Sequence, residues 1–381
     1  MTAFRTLIAG LFLCSAGLAQ AQLTATIAVE PSSKKESFTV ALAVVEDALS
    51  KATKQVAKVS FNEDLSDVMR ATRTGEVDVY IGPPQVAASA MSRGFELVGS
   101  TSPIEQFVLV SRRDYATVAS LNGGRLYLPQ QDSIYSYVAR GMLNAAGLSF
   151  QNMTIEFGRW PSAGLVAVDM GVADATVVRQ SEWADWVKSR GQALHAVGTS
   201  IPVPGGLSVV VKKNLPANAR ERITQWFANA STASGLKPVS QRADASMYKA
   251  VAELGYFTPT SLPGATVVNA AQVRQLVAGG AVIVDTRSEK EYKTKHIPLA
   301  VFVPYHEKSL KDVAFDPAKD DFRDLAKLNK DKPTIFSCNG AECWKSYKAS
   351  KVALANGFKN VYWFRGGLPE WETSGLQVAQ D

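Results

Sequence analysis

Over most of the chain, short apolar runs alternate with longer stretches in which apolar residues recur every three or four positions. Residues 24–29 (Thr-Ala-Thr-Ile-Ala-Val) read as a strand. Phe38, Ala41, Leu42, Val45, Ala48 and Leu49 then follow at helical spacing. A second strand is expected at 77–81, stopped by Gly82-Pro83-Pro84, and a third at 124–129, running into a helix near 133–146. This order predicts a parallel sheet covered on both faces. The pattern breaks at Thr258-Pro259-Thr260-Ser261-Leu262-Pro263-Gly264, which suits neither a helix nor a central strand. Beyond it, 281–284 is a continuous apolar run ending in Asp285-Thr286-Arg287, 334–337 is a strand ending on Cys338, and 344–354 is helical. The expected fold class is α/β, with one large unit at 22–257, a linker at 258–265 and a smaller unit at 266–381.

Length supports that division, because single hydrophobic cores stop growing at about 250–300 residues and this chain has 381. The first 21 residues stand apart. Arg5 precedes an apolar stretch at 7–14 that ends in Ala19-Gln20-Ala21, the pattern of a secretory signal peptide cut after Ala21. Ser15, Gln20 and Gln22 interrupt it short of the roughly 20 residues that cross a bilayer, so no membrane span is expected after cleavage and the expected location is the periplasm. With Cys14 removed, only Cys338 and Cys343 remain. Their spacing closes almost no loop, so a stabilising disulfide explains them poorly. The net charge of +6 is scattered without a run that would track phosphates, so nucleic acid is not an expected partner. His195, His296 and His306 are isolated and share no zinc-like spacing with the cysteines; no metal and no cofactor are expected.

Open α/β sheets bind ligands beyond the carboxyl ends of their strands. The loop at 130–136 lies there, and Ser133 and Ser136 stand where a helix N-terminus offers amides to an anion. A plain helix cap at Asp132 or Ser133 is the alternative. The stretch resembles the periplasmic substrate-binding proteins of the phosphate, phosphite and phosphonate type. The resemblance rests on residues 75–83 (Gly-Glu-Val-Asp-Val-Tyr-Ile-Gly-Pro), Leu121-Asn122-Gly123-Gly124-Arg125 with Ser133 downstream, residues 171–177, and Ile201-Pro202-Val203-Pro204 before 207–211. It implies two lobes, roughly 22–105 with 210–257 and 106–205, a small anion between them, and a membrane transporter as partner. On this reading the ligand-binding candidates are Ser32, Ser33, Tyr80, Ser133, Tyr135, Ser136 and Arg179, with Ile134, Tyr135 and Tyr137 bulkier than the usual residues. Tyr80 reads equally well as a core position.

The smaller unit carries the sharper chemistry. Cys338 sits between a strand end and a helix start, in the short loop Cys338-Asn339-Gly340-Ala341-Glu342-Cys343. Backbone amides converge there and favour a thiolate, the nucleophilic form; a buried structural cysteine is the plainer alternative. Residues 266–379 strongly resemble the rhodanese domain through residues 284–292 (Val-Asp-Thr-Arg-Ser-Glu-Lys-Glu-Tyr) with His296-Ile297-Pro298, the loop at Cys338, and residues 364–371 (Phe-Arg-Gly-Gly-Leu-Pro-Glu-Trp). That resemblance implies a parallel sheet and sulfur transfer. Cys338 accepts a sulfane sulfur from a donor such as thiosulfate, becomes a persulfide held by the loop, and passes the sulfur to an acceptor. Arg287 orients the loop or substrate, Asp285 fixes the strand end, and Asn339, Gly340, Ala341, Glu342 and Lys345 line the substrate. Cys343 stands where many thiosulfate-using members have an arginine, and it is a candidate resolving cysteine, so a redox partner is a candidate alongside the transporter. Trp344 is expected to pack the helix on the sheet. The whole chain thus reads as an exported sulfurtransferase coupled to a solute-binding domain. The alternative is a non-enzymatic receptor whose rhodanese domain senses redox state or docks partners.

Overall fold

The computed structural model describes residues 22–30, 38–112, 114–191, 193–230, 236–239 and 244–381. The expected leader at 1–21 and the candidates Ser32 and Ser33 lie outside the described residues. Three five-stranded sheets organise the rest. The first has the order Ala57–Asn62, Leu23–Ala28, Val79–Gly82, Val203–Lys212, Phe95–Glu105. The second has the order Thr154–Phe157, Arg125–Leu128, Ala175–Arg179, Phe107–Arg112, Leu194–Thr199.

These two sheets correct the expectation of a purely parallel core. Leu23–Ala28 runs parallel to both its neighbours, and so does Arg125–Leu128. Val203–Lys212 and Phe107–Arg112, however, pair antiparallel with the strands on either side. The reason lies in the path of the chain. It leaves the first sheet along Phe95–Glu105, enters the second at Phe107, and re-enters the first at Val203. A strand arriving from the other lobe enters its sheet against the direction set by the βαβ units. The return therefore joins the first sheet at Val203, several residues earlier than the expected 210.

The third sheet is parallel throughout, in the order Thr266–Val267, Val361–Phe364, Thr334–Ser337, Val282–Asp285, Val301–Phe302. Thr334–Ser337 is central and buried along its length, which sets its carboxyl end, Cys338, in the middle of the sheet's edge. Apolar clusters cover both faces: Val273, Ile283, Ile335 and Trp371 on one, Val284, Phe336, Ala349 and Phe358 on the other.

One apolar cluster runs through all three units, with Tyr80 and Phe95 from the first lobe, Leu126 and Tyr135 from the second, Tyr256 from the end of the large unit, and Trp344, Tyr347 and Trp363 from the small one. Trp344 thus packs across the boundary toward Tyr256, and its indole N–H donates to the Tyr256 carbonyl at 2.6 Å. The proline-rich segment is fastened down as well. Thr258 and Leu262 are each 3% exposed, Thr258 bonds the Ala341 carbonyl through its amide (2.8 Å) and hydroxyl (2.7 Å), and Arg365 donates to the carbonyls of Thr258 and Pro259 at 2.8 Å. Among the described residues no helix is long and apolar enough to cross a membrane.

Candidate active site at the domain boundary

The strand Thr334–Ser337 delivers Cys338 to a tight loop, and the helix Trp344–Ala355 starts from Cys343. The loop closes on itself through the Cys343 amide, which donates to the Gly340 carbonyl at 2.9 Å. The amides of Gly340, Ala341 and Glu342 find no acceptor among the described residues. Cys338 is 1% exposed and Cys343 6%, and the two are joined as a disulfide with Cα atoms 6.1 Å apart. A second turn presses on the loop from below: the Leu368 amide donates to the Cys338 carbonyl at 2.9 Å. Gly367 (φ +56°) has to be glycine there, since a Cβ would sit 2.0 Å from the Cys338 oxygen.

Beneath the loop lies a buried polar scaffold. The Arg287 guanidinium, 2% exposed, grips the Asp285 carboxylate through Nε (2.9 Å) and Nη2 (2.6 Å) and donates to the Lys295 carbonyl at 2.7 Å and to Asn339 Oδ1 at 3.2 Å. Asn339 in turn donates through Nδ2 to Glu291 at 2.5 Å. Burial tends to raise the Glu291 carboxyl, but the Ser288 hydroxyl and amide, with the nearby Lys345 and Arg70 charges, hold it below the ordinary value. Glu291, which braces Asn339, is a site residue that the reading of the sequence passed over, although its signal was local: Ser288 and Glu291 form a capping box at the start of the helix Glu289–Thr294. Arg287 therefore touches the loop through Asn339, and Asp285 touches Arg287. Glu342 turns away to an ion pair with Arg93 of the large unit, and Lys345 faces the cavity above the cysteines.

The second set of candidates lies between the lobes, and several of them meet protein groups. The Ser133 hydroxyl accepts from the Ser136 amide at 3.2 Å, as an N-cap, and the Ser136 hydroxyl donates to the Gln130 carbonyl at 2.6 Å; both side chains are fully buried. The free amide at that helix start, Ile134 N, donates at 2.7 Å to the carboxylate of Glu30. The protein's own acid thus occupies the place assigned to a ligand oxyanion. Tyr80 lies in the core, 1% exposed, with its ring 5.3 Å from that of Phe95. Arg179 meets protein partners too: Glu105 at 3.1 Å and the Tyr135 hydroxyl at 2.5 Å, with Glu182 at 3.7 Å. It also lines a 480 Å³ cavity at the crossover between the lobes. Among the described residues no group of three His, Cys, Asp or Glu side chains is placed to hold a metal ion.

Glu30 gives a testable pH dependence. Burial dominates and pushes its carboxyl from an ordinary 4.5 to about 7, against the pull of the Ile134 amide, Gln85 and Arg179. Between those values the folded chain keeps a proton that the unfolded chain has lost, so stability falls as pH rises through the window and levels off above it. Glu30→Gln removes the titration. The wild-type urea midpoint is expected to drop more than the variant's between about pH 5 and about pH 7.5; parallel pH profiles would refute this assignment.

Residues 27–256 match the family described as ABC transporter, phosphonate, periplasmic substrate-binding protein. The chain belongs to that family. Behind this domain, residues 269–374 match the rhodanese-like domain. Over 96 residues the chain is 32% identical to the thiosulfate:glutathione sulfurtransferase of Saccharomyces cerevisiae, covering 25% of this chain and 66% of that one. Over 116 residues it is 29% identical to a helix-turn-helix-type transcriptional regulator of Mycobacterium tuberculosis, covering 30% and 45%. The chain therefore spans less than two thirds of the length of either relative. Among solved structures it is similar to PhnD1 from Prochlorococcus marinus in complex with methylphosphonate, at 13% identity and a TM-score of 0.48, over 61% of this chain and 97% of that one. The rhodanese-like domain and its sulfurtransferase relatives support a sulfurtransferase-type activity at the level of the family. Membership of the phosphonate-binding family implies a small anionic ligand for the large domain.

Proposed function

We propose that this protein is an exported sulfurtransferase that works through a persulfide on Cys338, coupled to a solute-binding domain that takes a small anion and serves a membrane transporter. The observation that carries the reading is the position of Cys338, at the end of a central parallel strand, followed by loop amides that find no acceptor among the described residues, and lining a cavity. Such amides stabilise negative charge on sulfur, as in an oxyanion hole. In the cycle we infer, a dithiol reductant first opens the Cys338–Cys343 disulfide, taking up its oxidising equivalents as its own disulfide. The Cys338 thiolate then attacks the outer sulfur of thiosulfate. A new S–S bond forms on Cys338, the S–S bond of thiosulfate breaks, and its electron pair leaves with sulfite.

Two fates follow for the Cys338 persulfide. An external nucleophile can take the outer sulfur and return the thiolate. Alternatively Cys343, whose Cα lies 6.1 Å from that of Cys338, attacks the inner sulfur; with one proton, hydrosulfide leaves and the disulfide re-forms. Reduced protein, freed of reductant and mixed with thiosulfate, is expected to gain about 32 Da on the Cys338 peptide. Cys343→Ala should lengthen the lifetime of that adduct when no acceptor is added, whereas an unchanged lifetime would leave Cys343 a packing residue. The disulfide also favours a second reading, a redox-sensing module without sulfur transfer. A reduced protein that re-forms the disulfide but never gains the sulfur would establish that reading instead.

A further inference from the structure

The cavity over the two cysteines measures about 420 Å³ and is shared between domains. One wall is the Cys338–Cys343 loop with Lys345 behind it, and the opposite wall is the helix Leu65–Thr74 of the solute-binding domain, bringing Arg70 and Arg73. The charges facing it fall into two groups. Its acids are engaged: Asp67 with Arg70, Glu291 with Ser288 and Asn339, Glu307 with Lys348, Glu342 with Arg93, while Asp64 caps the helix start. Arg70 is held by Asp67 and Glu76, and Lys311 by Asp132.

Arg287 is held by Asp285, and Lys308 is exposed to water and needs no partner. Two half-buried cations are left over, one from each domain. Nε of Arg73 is buried without a hydrogen-bond partner among the described residues, and Lys345 makes no ion pair or hydrogen bond among them. A place in the last turn of its helix suits the charge of Arg73, but the helix dipole asks for no burial of the guanidinium. Removing a charge from water is costly unless an opposite charge meets it. Burial pushes the Lys345 ammonium below its ordinary value; Glu291 and Glu307 pull it back, and the Arg73 and Arg70 charges add to the downward push.

We propose that Arg73 and Lys345 together form an anion site, built only when the two domains are docked, that holds the oxyanion end of an anionic sulfane-sulfur donor with its outer sulfur toward Cys338. The substrate class rests on the sulfur-transfer reading above, while the anion site rests on the cavity and the two unpaired cations. The solute-binding domain thereby supplies a substrate-binding residue to the rhodanese-like domain. Arg73 offers a planar fork suited to two oxygens of one anion, and Lys345 a point charge. In the sulfur-loading step the site holds the sulfite portion while the S–S bond of the donor breaks, and releases it as free sulfite.

Two measurements on the full-length reduced protein test this. The first compares alkylation of Cys338 by iodoacetate and by iodoacetamide at low salt, read as mass on the Cys338 peptide; the ratio of the two rates cancels any change in the thiolate fraction. Arg73→Ala and Lys345→Ala should each lower that ratio roughly ten- to hundredfold, the worth of one charge-assisted contact, and raise KM for thiosulfate by a similar factor. Arg73→Lys should restore part of both. Thermal melts check that each variant is folded; should Arg73→Ala melt early, Arg73→Gln, which keeps the stem and removes the charge, carries the same expectation. If thiosulfate loads no sulfur on the wild type but the alkylation ratio still depends on both cations, the anion site stands and the sulfur-transfer reading fails. If sulfur loads normally while ratio and KM stay at wild-type values in all variants, the composite site is overturned.

Discussion

Cys338→Ser is expected to fold and to gain no sulfur from thiosulfate, with sulfur transfer lowered by at least about a thousandfold, the scale seen when a catalytic nucleophile is removed. Serine keeps the small buried volume of a side chain that is 1% exposed. It cannot, however, form the thiolate that attacks a sulfane sulfur, nor store the product as a persulfide. The exchange also removes the disulfide to Cys343, but a five-residue separation closes so short a loop that its loss costs at most about 2 kcal/mol. The far-ultraviolet spectrum and the cooperative urea transition should therefore survive while the mass gain disappears. A Cys338→Ser chain that still moved sulfur at the wild-type rate would place the chemistry elsewhere.

The largest effect on stability is expected from Arg287→Ala. The Arg287 and Asp285 side chains are 2% and 7% exposed, and the pair sits under the active-site loop, tied to the Lys295 carbonyl and to Asn339. Deleting the guanidinium strands the Asp285 carboxylate away from water, a change that typically costs about 3–5 kcal/mol, so the urea midpoint should fall steeply. Arg287→Lys should recover little, because a point charge cannot span both carboxylate oxygens and the two further acceptors. In the folded fraction sulfur loading should also slow, since Asn339 loses one of the two groups that hold it. A midpoint shift equivalent to less than about 1 kcal/mol would show that water reaches the pair and that it is not part of the loop's foundation.

How far these sites could be read in advance depended on the sequence distance between partners. Ser133 as a helix cap, the Ser288–Glu291 capping box and the place of Cys338 between strand and helix all rest on contacts within a few residues, and each leaves a spacing in the chain. The polar contacts that shape the sites span far more: 104 residues from Glu30 to Ile134, 179 from Asp132 to Lys311, 249 from Arg93 to Glu342. No local period records such pairs. The protein partners of Arg179 at Glu105 and Tyr135 consequently left no mark in the local spacing. A hydroxyl at a helix start or a guanidinium at a strand end serves an anion or a neighbouring protein group equally well; the Ser136 hydroxyl donates to the Gln130 carbonyl, and Arg179 meets Glu105 and Tyr135.

From the amino-acid order alone came the alternation of strands and helices, the break near 258–264, and the cysteine at the end of a buried strand, because hydrophobic period and turn chemistry act over a few residues. The antiparallel strands that return between lobes, the carboxylate of Glu30 at the helix start, and the docking of Arg73 opposite Cys338 were decided only by tertiary structure. Each depends on which surfaces meet once apolar area is buried. That choice is made by the shared cluster of Tyr80, Tyr135, Tyr256 and Trp344, whose members lie far apart along the chain and become neighbours only in the folded protein.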